Sequence, residues 1–566
     1  MRLFSRIAAA AALLLAPHAV HADAYNGSPK LAIILVFDQF RGDYLDRYRA
    51  DFHAKNGWNL FLKQGAHFTE CYYDYANLVT AAGHSTIGTA SYTDGHGIPL
   101  NQWWVTGVDG VPHEITSVED SRYTLVGVPA GQPVAPGASP HNELASTVGD
   151  ELELATGGRA KVFGVSFKDR ASILTSGHAS KGAFWTEHTT GAWITSTYWM
   201  KQLPPWAVAF NTSKRAAEAR RDAHAERGEF YEQVGSTPAS VSYQLDFAKA
   251  LIQGEQLGRN PAGVTDMLTV SISSTDILGH RVGPDSPEQR AMIDAADGQL
   301  DAFFTWLDSY VGLQNVIVAL SGDHGVAPTE QESARVGMPG AAFPSRAMVA
   351  QVEAALEKRF PNVDRHGRAL VLTPELPWLQ IQPEPFQAAG VSESDAEEAT
   401  AEAVRDFFAG QQRTAMLQTG LTQRVPEPQR VRDVYTASQM RQGRLPNDEY
   451  GRRVQRSYSP YVRWAVHMNL GLFQYPGAVA GAGHYSQNAY DRHVPLDLFG
   501  AAFVPGTYHD LVAPVDIAAT FASLLRLNQP SASVGHVLTQ VMRPEAAGST
   551  GPSGASGPTT EAGAGR

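Results

Sequence analysis

Cysteine is nearly absent from this chain: of 566 residues only Cys71 carries a thiol. No intrachain disulfide can form, so stability rests on core burial, which a chain of this length can supply, and on any bound metal. Set between Glu70 and Tyr72, the thiol reads as a small buried hydrophobe and not as a reactive group. Long hydrophobic runs are missing too. No stretch reaches the ~20 consecutive apolar residues needed to cross a bilayer, so no membrane anchor is expected. Basic residues are in deficit, 45 Lys and Arg against 57 Asp and Glu, and an acidic surface does not wrap nucleic acid. There is no internal repeat, and no partner subunit is read from the sequence.

The apolar run that is present is short. Ala8–Leu15 follows Arg2 and Arg6 and precedes the small-residue site Val20, His21, Ala22. This pattern predicts a secretory signal peptide over residues 1–22 and a periplasmic or secreted protein. Its removal takes the formal net charge from −12 to about −14.

Four short runs rich in β-branched residues follow: Leu31–Phe37, Lys161–Phe167, Met267–Ser273 and Asn315–Leu320. Each reads as a buried strand. Helical patterns lie between them, the clearest over Pro287–Tyr310, where Met292, Ala296, Leu300, Phe303 and Leu307 share one face. Strands alternating with helices predict an α/β domain on a largely parallel sheet. Asp294, Asp297 and Asp301 on the same helix read as a solvated acidic face. From about residue 325 to 480 the rhythm weakens into polar helices and Pro-rich loops, the pattern of an inserted subdomain without an independent core. The Gly/Ser/Pro/Ala-rich stretch 544–566 reads as a disordered tail.

The chemistry collects where the strands end: Asp38 after the first, Lys168 and Arg170 after the second, Asp276 after the third, Asp323 and His324 after the fourth. Open α/β sheets bind ligands beyond the carboxyl ends of their strands. One acidic residue there is a helix cap as readily as a ligand; several such ends are harder to dismiss. Asp276 and His280, four apart, fall on one side of a helical turn and can share a metal. Asp323 and His324 are adjacent, and Gly322 and Gly325 are expected to give the backbone freedom that lets them converge. Carboxylates and imidazoles without thiolate fit zinc in an open catalytic site.

The segment Asn77–Ala90 offers hydroxyls and an Ala-rich helix starting near Thr80. A hydroxyl at a helix start faces N–H groups that attract phosphate, although on this segment alone a plain N-cap is the better reading of Thr80. Ser85 sits in a near match to the Gly-x-Ser-x-Gly elbow, but Ile87 replaces the last glycine and the serine-hydrolase reading fails.

These residues, in this order, resemble the alkaline phosphatase superfamily. The match is to its PafA-type branch of threonine-nucleophile phosphomonoesterases, a neighbour of the nucleotide pyrophosphatase/phosphodiesterases. It is carried by Val36 to Leu45, Thr80 to Ser85, Thr275 to His280, Ser321 to Gly325, and Gly483 with His484. The resemblance implies a three-layer α/β/α sandwich with inserted cap segments, its catalytic domain spanning residues 23–543. It implies two zinc ions, one held by Asp276, His280 and His484, the other by Asp38, Asp323 and His324 with Thr80 bridging toward it. Thr80 is then the nucleophile, and Asn101, Lys168 and Arg170 contact the phosphate. The implied substrates are small phosphate monoesters, cleaved through a phosphothreonine with release of inorganic phosphate. A phosphodiesterase on the same fold is the alternative, disfavoured because an ammonium and a guanidinium suit a monoester dianion better than a diester. A sulfatase is disfavoured because the Thr80 segment lacks the arginine of the sulfatase motif. A noncatalytic phosphate-binding protein would show stoichiometric capture without turnover.

Overall fold

A computed structural model describes residues 28–107, 110–132, 135–225, 227–338, 341–372, 375–419, 431–476 and 481–544. The segment read as a signal peptide and the tail from residue 545 onward lie outside the described residues.

Eleven strands form the main sheet: β1 Leu31–Phe37, β2 Ala66–Cys71, β3 Glu119–Val126, β4 Pro136–Ala138, β5 Val162–Ser166, β6 Gly182–Thr186, β7 Trp193–Ser196, β8 Asp266–Ile272, β9 Val316–Ser321, β10 Leu496–Phe499 and β11 Gly506–Val512. Their order is β11-β2-β10-β9-β1-β8-β5-β6-β7-β3-β4. The centre, β9-β1-β8-β5-β6, is parallel, and antiparallel pairs flank it on both sides. All four strands expected from sequence are present within a residue of their expected bounds.

The helices that matter for the site are α1 Thr80–Thr89, α2 Asp169–Ser176, α3 Pro238–Glu255, α4 Ser274–Val282, α5 Pro287–Val311, α6 Ser345–Arg359, α7 Glu393–Thr419 and α8 Val515–Leu524. Strand β1 is apolar throughout because both its faces are covered. Leu31, Ile33, Leu35 and Phe37 pack with residues of α3 and α5, including Phe247, Leu300 and Phe303. Ala32, Ile34 and Val36 fall in the opposite cluster with Ala81 and Ile87 of α1, Ile173 of α2 and Phe521 of α8. The period-2 alternation of one strand thus divides two cores and makes three layers.

Between β9 and β10 the chain leaves the sheet. Residues from Phe343 to Leu470 gather a third hydrophobic cluster, with Met348 and Leu356 of α6 and Phe407 of α7. A three-stranded sheet, Trp378–Gln380, Ala465–Leu470 and Val431–Thr436, lies in the same segment, with Ala465–Leu470 central. It meets the main body at the hairpin Gln102–Thr106/Pro112–Thr116, where Trp104 N donates to Gln380 Oε1 at 2.9 Å.

The acidic face of α5 differs from its sequence reading. Asp294 is exposed, but Asp297 is buried and accepts from three backbone N–H groups, those of His53, Ala54 and Trp58, at 2.9–3.0 Å. Asp301 Oδ1 accepts from Asn56 N at 2.7 Å. His53, Ala54 and Asn56 lie in a loop, and Trp58 opens the helix Trp58–Gln64, whose cap residue Gly57 offers no side-chain acceptor, so α5 supplies acceptors for these donors. Asp297→Ala should therefore cost about 3 kcal/mol in denaturant unfolding, because it strands buried donors of a charged hydrogen bond. Asp294→Ala should stay within about 0.5 kcal/mol.

Candidate active site

The site exists because four parallel strands stop level with one another. Ser321 of β9, Val36 of β1, Ser271 of β8 and Ser166 of β5 lie in one row of the register. Asp323 and His324, Asp38, Asp276 and Lys168 all emerge within five residues beyond that row, side by side. Helix α4 begins at once after β8 and carries Asp276 in its first turn and His280 in its last. Their side chains meet, His280 Nε2 lying 3.0 Å from Asp276 Oδ1. Thr80 is the first residue of α1, buried, and Val79 occupies the cap position, so Thr80 does not serve as the cap.

Close backbone approach holds these pieces together. A Cβ on Gly83 would lie 2.1 Å from Asp323 O, and one on Gly481 would lie 1.6 Å from His280 O. Only glycine lets α1 reach the 322–325 turn and lets the loop bearing His484 reach the end of α4. Gly322 and Gly325 act the same way. Neither takes a positive φ, contrary to the expected role in backbone freedom, and a Cβ on Gly325 would lie 2.3 Å from Tyr490 O.

All three histidines use Nδ1 on a backbone carbonyl: His280 on Ala482 O at 2.9 Å, His324 on Gly325 O at 3.0 Å, and His484 on Leu78 O at 2.5 Å. A carbonyl only accepts, so each Nδ1 carries a proton; in His324 and His484 the Nε2 lone pair then faces inward, whereas burial acts to lower His280 but the Asp276 carboxylate beside its Nε2 raises it above its usual value. His280 Nε2 and His484 Nε2 face each other at 3.4 Å. Burial, helped by the His324 and His280 rings, pushes His484 well below the usual imidazole range. Burial also lowers His324.

The carboxylates crowd. Burial, then the charges of Asp276 and Asp323, push Asp38 well above the usual carboxylate range. Burial also acts to raise Asp276, but His280 and Lys168 hold it well below that range. Asp38 Oδ1, Asp323 Oδ2 and His324 Nε2 are buried without a hydrogen-bond partner, which is the condition of ligand atoms aimed at a cation. The ligand atoms of Asp276, His280 and His484 lie within 4.8 Å of one another, as do those of Asp38, Asp276 and His324. The first set is the triad expected from sequence. In the second, Asp276 stands where Asp323 was expected; Asp323 keeps Oδ2 3.4 Å from His324 Nε2 while its Oδ1 accepts from the N–H groups of Gln39 and His324. These oxygen and nitrogen donors, with fixed tautomers and orphaned atoms, fit divalent cations.

The phosphate-side residues are placed unequally. Lys168 Nζ lies 2.6 Å from Asp38 Oδ2, 2.5 Å from Asp276 Oδ2 and 3.3 Å from Thr80 Oγ1. Asn101 Oδ1 accepts from Ala81 N at 3.0 Å, tying it to the start of α1. Arg170 stands further out: among the described residues its Nε has no hydrogen-bond partner, and its ion-pair contact is with Asp169, at 3.7 Å. Two residues escaped the sequence reading. Gln39, adjacent to Asp38 and in the left-handed region at φ 60°, donates from its N to Asp323 Oδ1 at 3.0 Å and from Nε2 to Asp276 Oδ1 at 2.9 Å. A non-glycine held there at a strand end is the signal that marks it. Glu375, from the inserted segment, accepts from Gln102 N at 2.8 Å.

This sheet and this cluster are those of a hydrolase of phosphoric esters. The chain belongs to the type I phosphodiesterase / nucleotide pyrophosphatase family, whose profile matches residues 32–429. Within it, the chain is 30% identical over 563 residues to alkaline phosphatase PafA of Elizabethkingia meningoseptica, covering 91% of this chain and 94% of that one. A Myroides odoratus protein named calcium-transporting ATPase is 30% identical over 546 residues, 90% and 93% of the two chains. The crystal structure of wild-type PafA superposes with a TM-score of 0.77 at 29% identity, over 92% of this chain and all of that one. The resemblance read from the motifs, and the α/β fold it implied, are both borne out.

If Gln39 orients two carboxylates of the cluster, Gln39→Ala should weaken divalent-metal affinity about 10–100-fold. Competition titration against a chelator measures this, and an unchanged affinity would remove Gln39 from the site.

Proposed function

We propose that the chain is an exported, zinc-dependent phosphomonoesterase that uses Thr80 as nucleophile and forms a phosphothreonine. The observation that carries this is the contact of Lys168 with the Thr80 hydroxyl while its ammonium lies against the carboxylates of Asp38 and Asp276. In this reading Asp276, His280 and His484 would hold one zinc and Asp38, Asp323 and His324 the other, and the ions would supply Lewis-acid charge to the displacement. Thr80 Oγ gives up its proton and forms a bond to phosphorus as the ester P–O bond breaks, and the departing alcohol oxygen takes up one proton, so the step balances. Water then cleaves the phosphothreonine, restoring the hydroxyl and releasing inorganic phosphate. Lys168 keeps positive charge beside Oγ throughout, and Asn101 and Arg170 receive the equatorial oxygens.

The family name also covers phosphodiesterases, and the charge pair favours the monoesterase. A monoester carries one more negative charge into its transition state than a diester, and Lys168 with Arg170 answers that charge. Each such contact is worth roughly 1.5–3 kcal/mol. Replacing both with Ala should thus lower monoester kcat/KM by about two to four orders of magnitude, with a far smaller loss on diesters. Equal losses would return the assignment to a phosphodiesterase.

Two further outcomes are expected. Thr80→Ala should abolish most turnover of an aryl phosphate at normal metal content, and Thr80→Ser should retain substantial activity; near-normal turnover by Thr80→Ala would assign the nucleophile elsewhere. Chelation should remove activity and zinc should restore it, with elemental analysis finding two zinc ions per chain.

A further inference from the structure

A hollow lies against β3, β4, β6 and β7, at the edge of the main sheet. Its volume is about 270 Å³, and its apolar wall includes Leu125, Val128, Trp185 and Ile194. Two pairings place it beside the phosphate-side residues. Strand β6 runs parallel to β5 with Phe184 opposite Val165, and Thr186 Oγ1 donates to Phe167 O at 3.2 Å, so Glu187 leaves the sheet level with Lys168. Across the hollow, Thr116 lies opposite Gln102 in the hairpin, and Ser117 N donates to Asn101 O at 2.8 Å. Thr116, Asp169 and Glu187 all line the space. It is therefore walled on one side by chain paired with the residues around Asn101, and on the other by the residue between Lys168 and Arg170. The alcohol of an ester held by these groups has this hollow next to it.

The charged groups of the wall are all of one sign. Glu119, Asp169 and Glu187 line it, and among the described residues no lysine or arginine does. Glu187 is engaged by its own turn, accepting from Thr189 N, Thr190 N and Thr190 Oγ1 at 2.6–2.8 Å. Asp169 Oδ1 accepts from Arg170 N at 2.7 Å and faces the Arg170 guanidinium at 3.7 Å. Glu119, half-buried, has neither a cation nor a hydrogen bond on its carboxylate among the described residues. The ring of His188, also in the wall, stacks on Tyr231 at 4.3 Å. A neutral or anionic group entering here would strip water from Glu119 and give it no partner. An apolar body carrying a positive charge fills the hollow and answers the carboxylate.

We propose that this cavity receives the alcohol portion of the substrate and selects esters of apolar alcohols that carry a protonated amine, with Glu119 as the counter-charge. The proposal rests on the phosphomonoesterase reading given above. The phosphate is common to every monoester, so selection among them has to come from the group that leaves.

Three aryl phosphates of similar size test this on the zinc-loaded enzyme: para-(aminomethyl)phenyl, para-ethylphenyl and para-(carboxymethyl)phenyl phosphate. The assay is run at about pH 8, where an alkylamine is charged and imidazole is mostly neutral. The kcat/KM should fall in the order amine, ethyl, carboxylate, by roughly fivefold at each step, the scale of a partly exposed charge pair. Leaving-group chemistry is the same in every variant, so in Glu119→Gln the amine-to-ethyl ratio should drop to within about twofold. Val128→Trp fills the cavity and should lower kcat/KM for all three esters about tenfold or more, while inhibition by inorganic phosphate, which has no alcohol, stays within about twofold. Glu119→Gln carries the test alone if Val128→Trp fails to fold. Equal kcat/KM for the three esters, an unchanged ratio in Glu119→Gln, or full activity in a folded Val128→Trp overturns the proposal. If none of the three is hydrolysed although a diester is, the phosphomonoesterase reading fails and the proposal falls with it. Hydrolysis of all three without regard to charge removes the cavity's role and leaves that reading standing.

Discussion

Everything at this site follows from burying several carboxylates at the ends of strands that finish level. Asp38, Asp276 and Asp323 are each almost wholly shielded from water, and their mutual repulsion, added to desolvation, drives Asp38 toward its neutral form. A protein that wanted only a stable sheet would put hydrophobic residues there. The arrangement makes sense only if cationic charge is gathered among them, and the inward lone pairs of His324 and His484 point to metal as the larger part of it.

The tolerances are set by backbone, and the backbone by glycine. Gly83 and Gly481 place two chain segments in contact with the carbonyls of ligand-bearing residues at separations no Cβ allows. The carbonyls of Leu78, Gly325 and Ala482 in turn fix the ring orientations. Orientation at the site therefore comes from main chain that the two flanking cores hold rigid, which is a firmer support than side chains could give one another.

What could be read in the sequence was what repeats or sits locally. Leu31–Phe37 shows its burial because every residue is apolar, and Asp276 with His280 shows its pairing because a helix has a fixed period. The order of the ligand motifs carried the family. What escaped depends on pairing between distant segments. The bond between Glu375 and Gln102 joins residues 273 apart in a Pro-rich stretch with no periodicity. Asp297 looked like one acid among three on an exposed face, and its burial comes from a loop 239 residues earlier that needs acceptors. Gly322 and Gly325 were read correctly as necessary but for the wrong reason, since sequence cannot distinguish a glycine needed for its φ from one needed for its missing Cβ.

Charge balance finally decides what kind of ligand the cluster can take. Among the side chains named here, the carboxylates of Asp38, Asp276 and Asp323 face one ammonium, Lys168, and one guanidinium, Arg170, which stands at the margin. Taken as ionised groups, these side chains leave the site negative, and a phosphate dianion would meet repulsion. Lys168 reaches the Thr80 hydroxyl only while it also serves the carboxylates. Divalent cations held there would reverse the sign of the site and free the ammonium for an anion, which would couple metal loading to anion binding. The same carboxylates that would repel a phosphate from the bare chain are what gather the charge that attracts it.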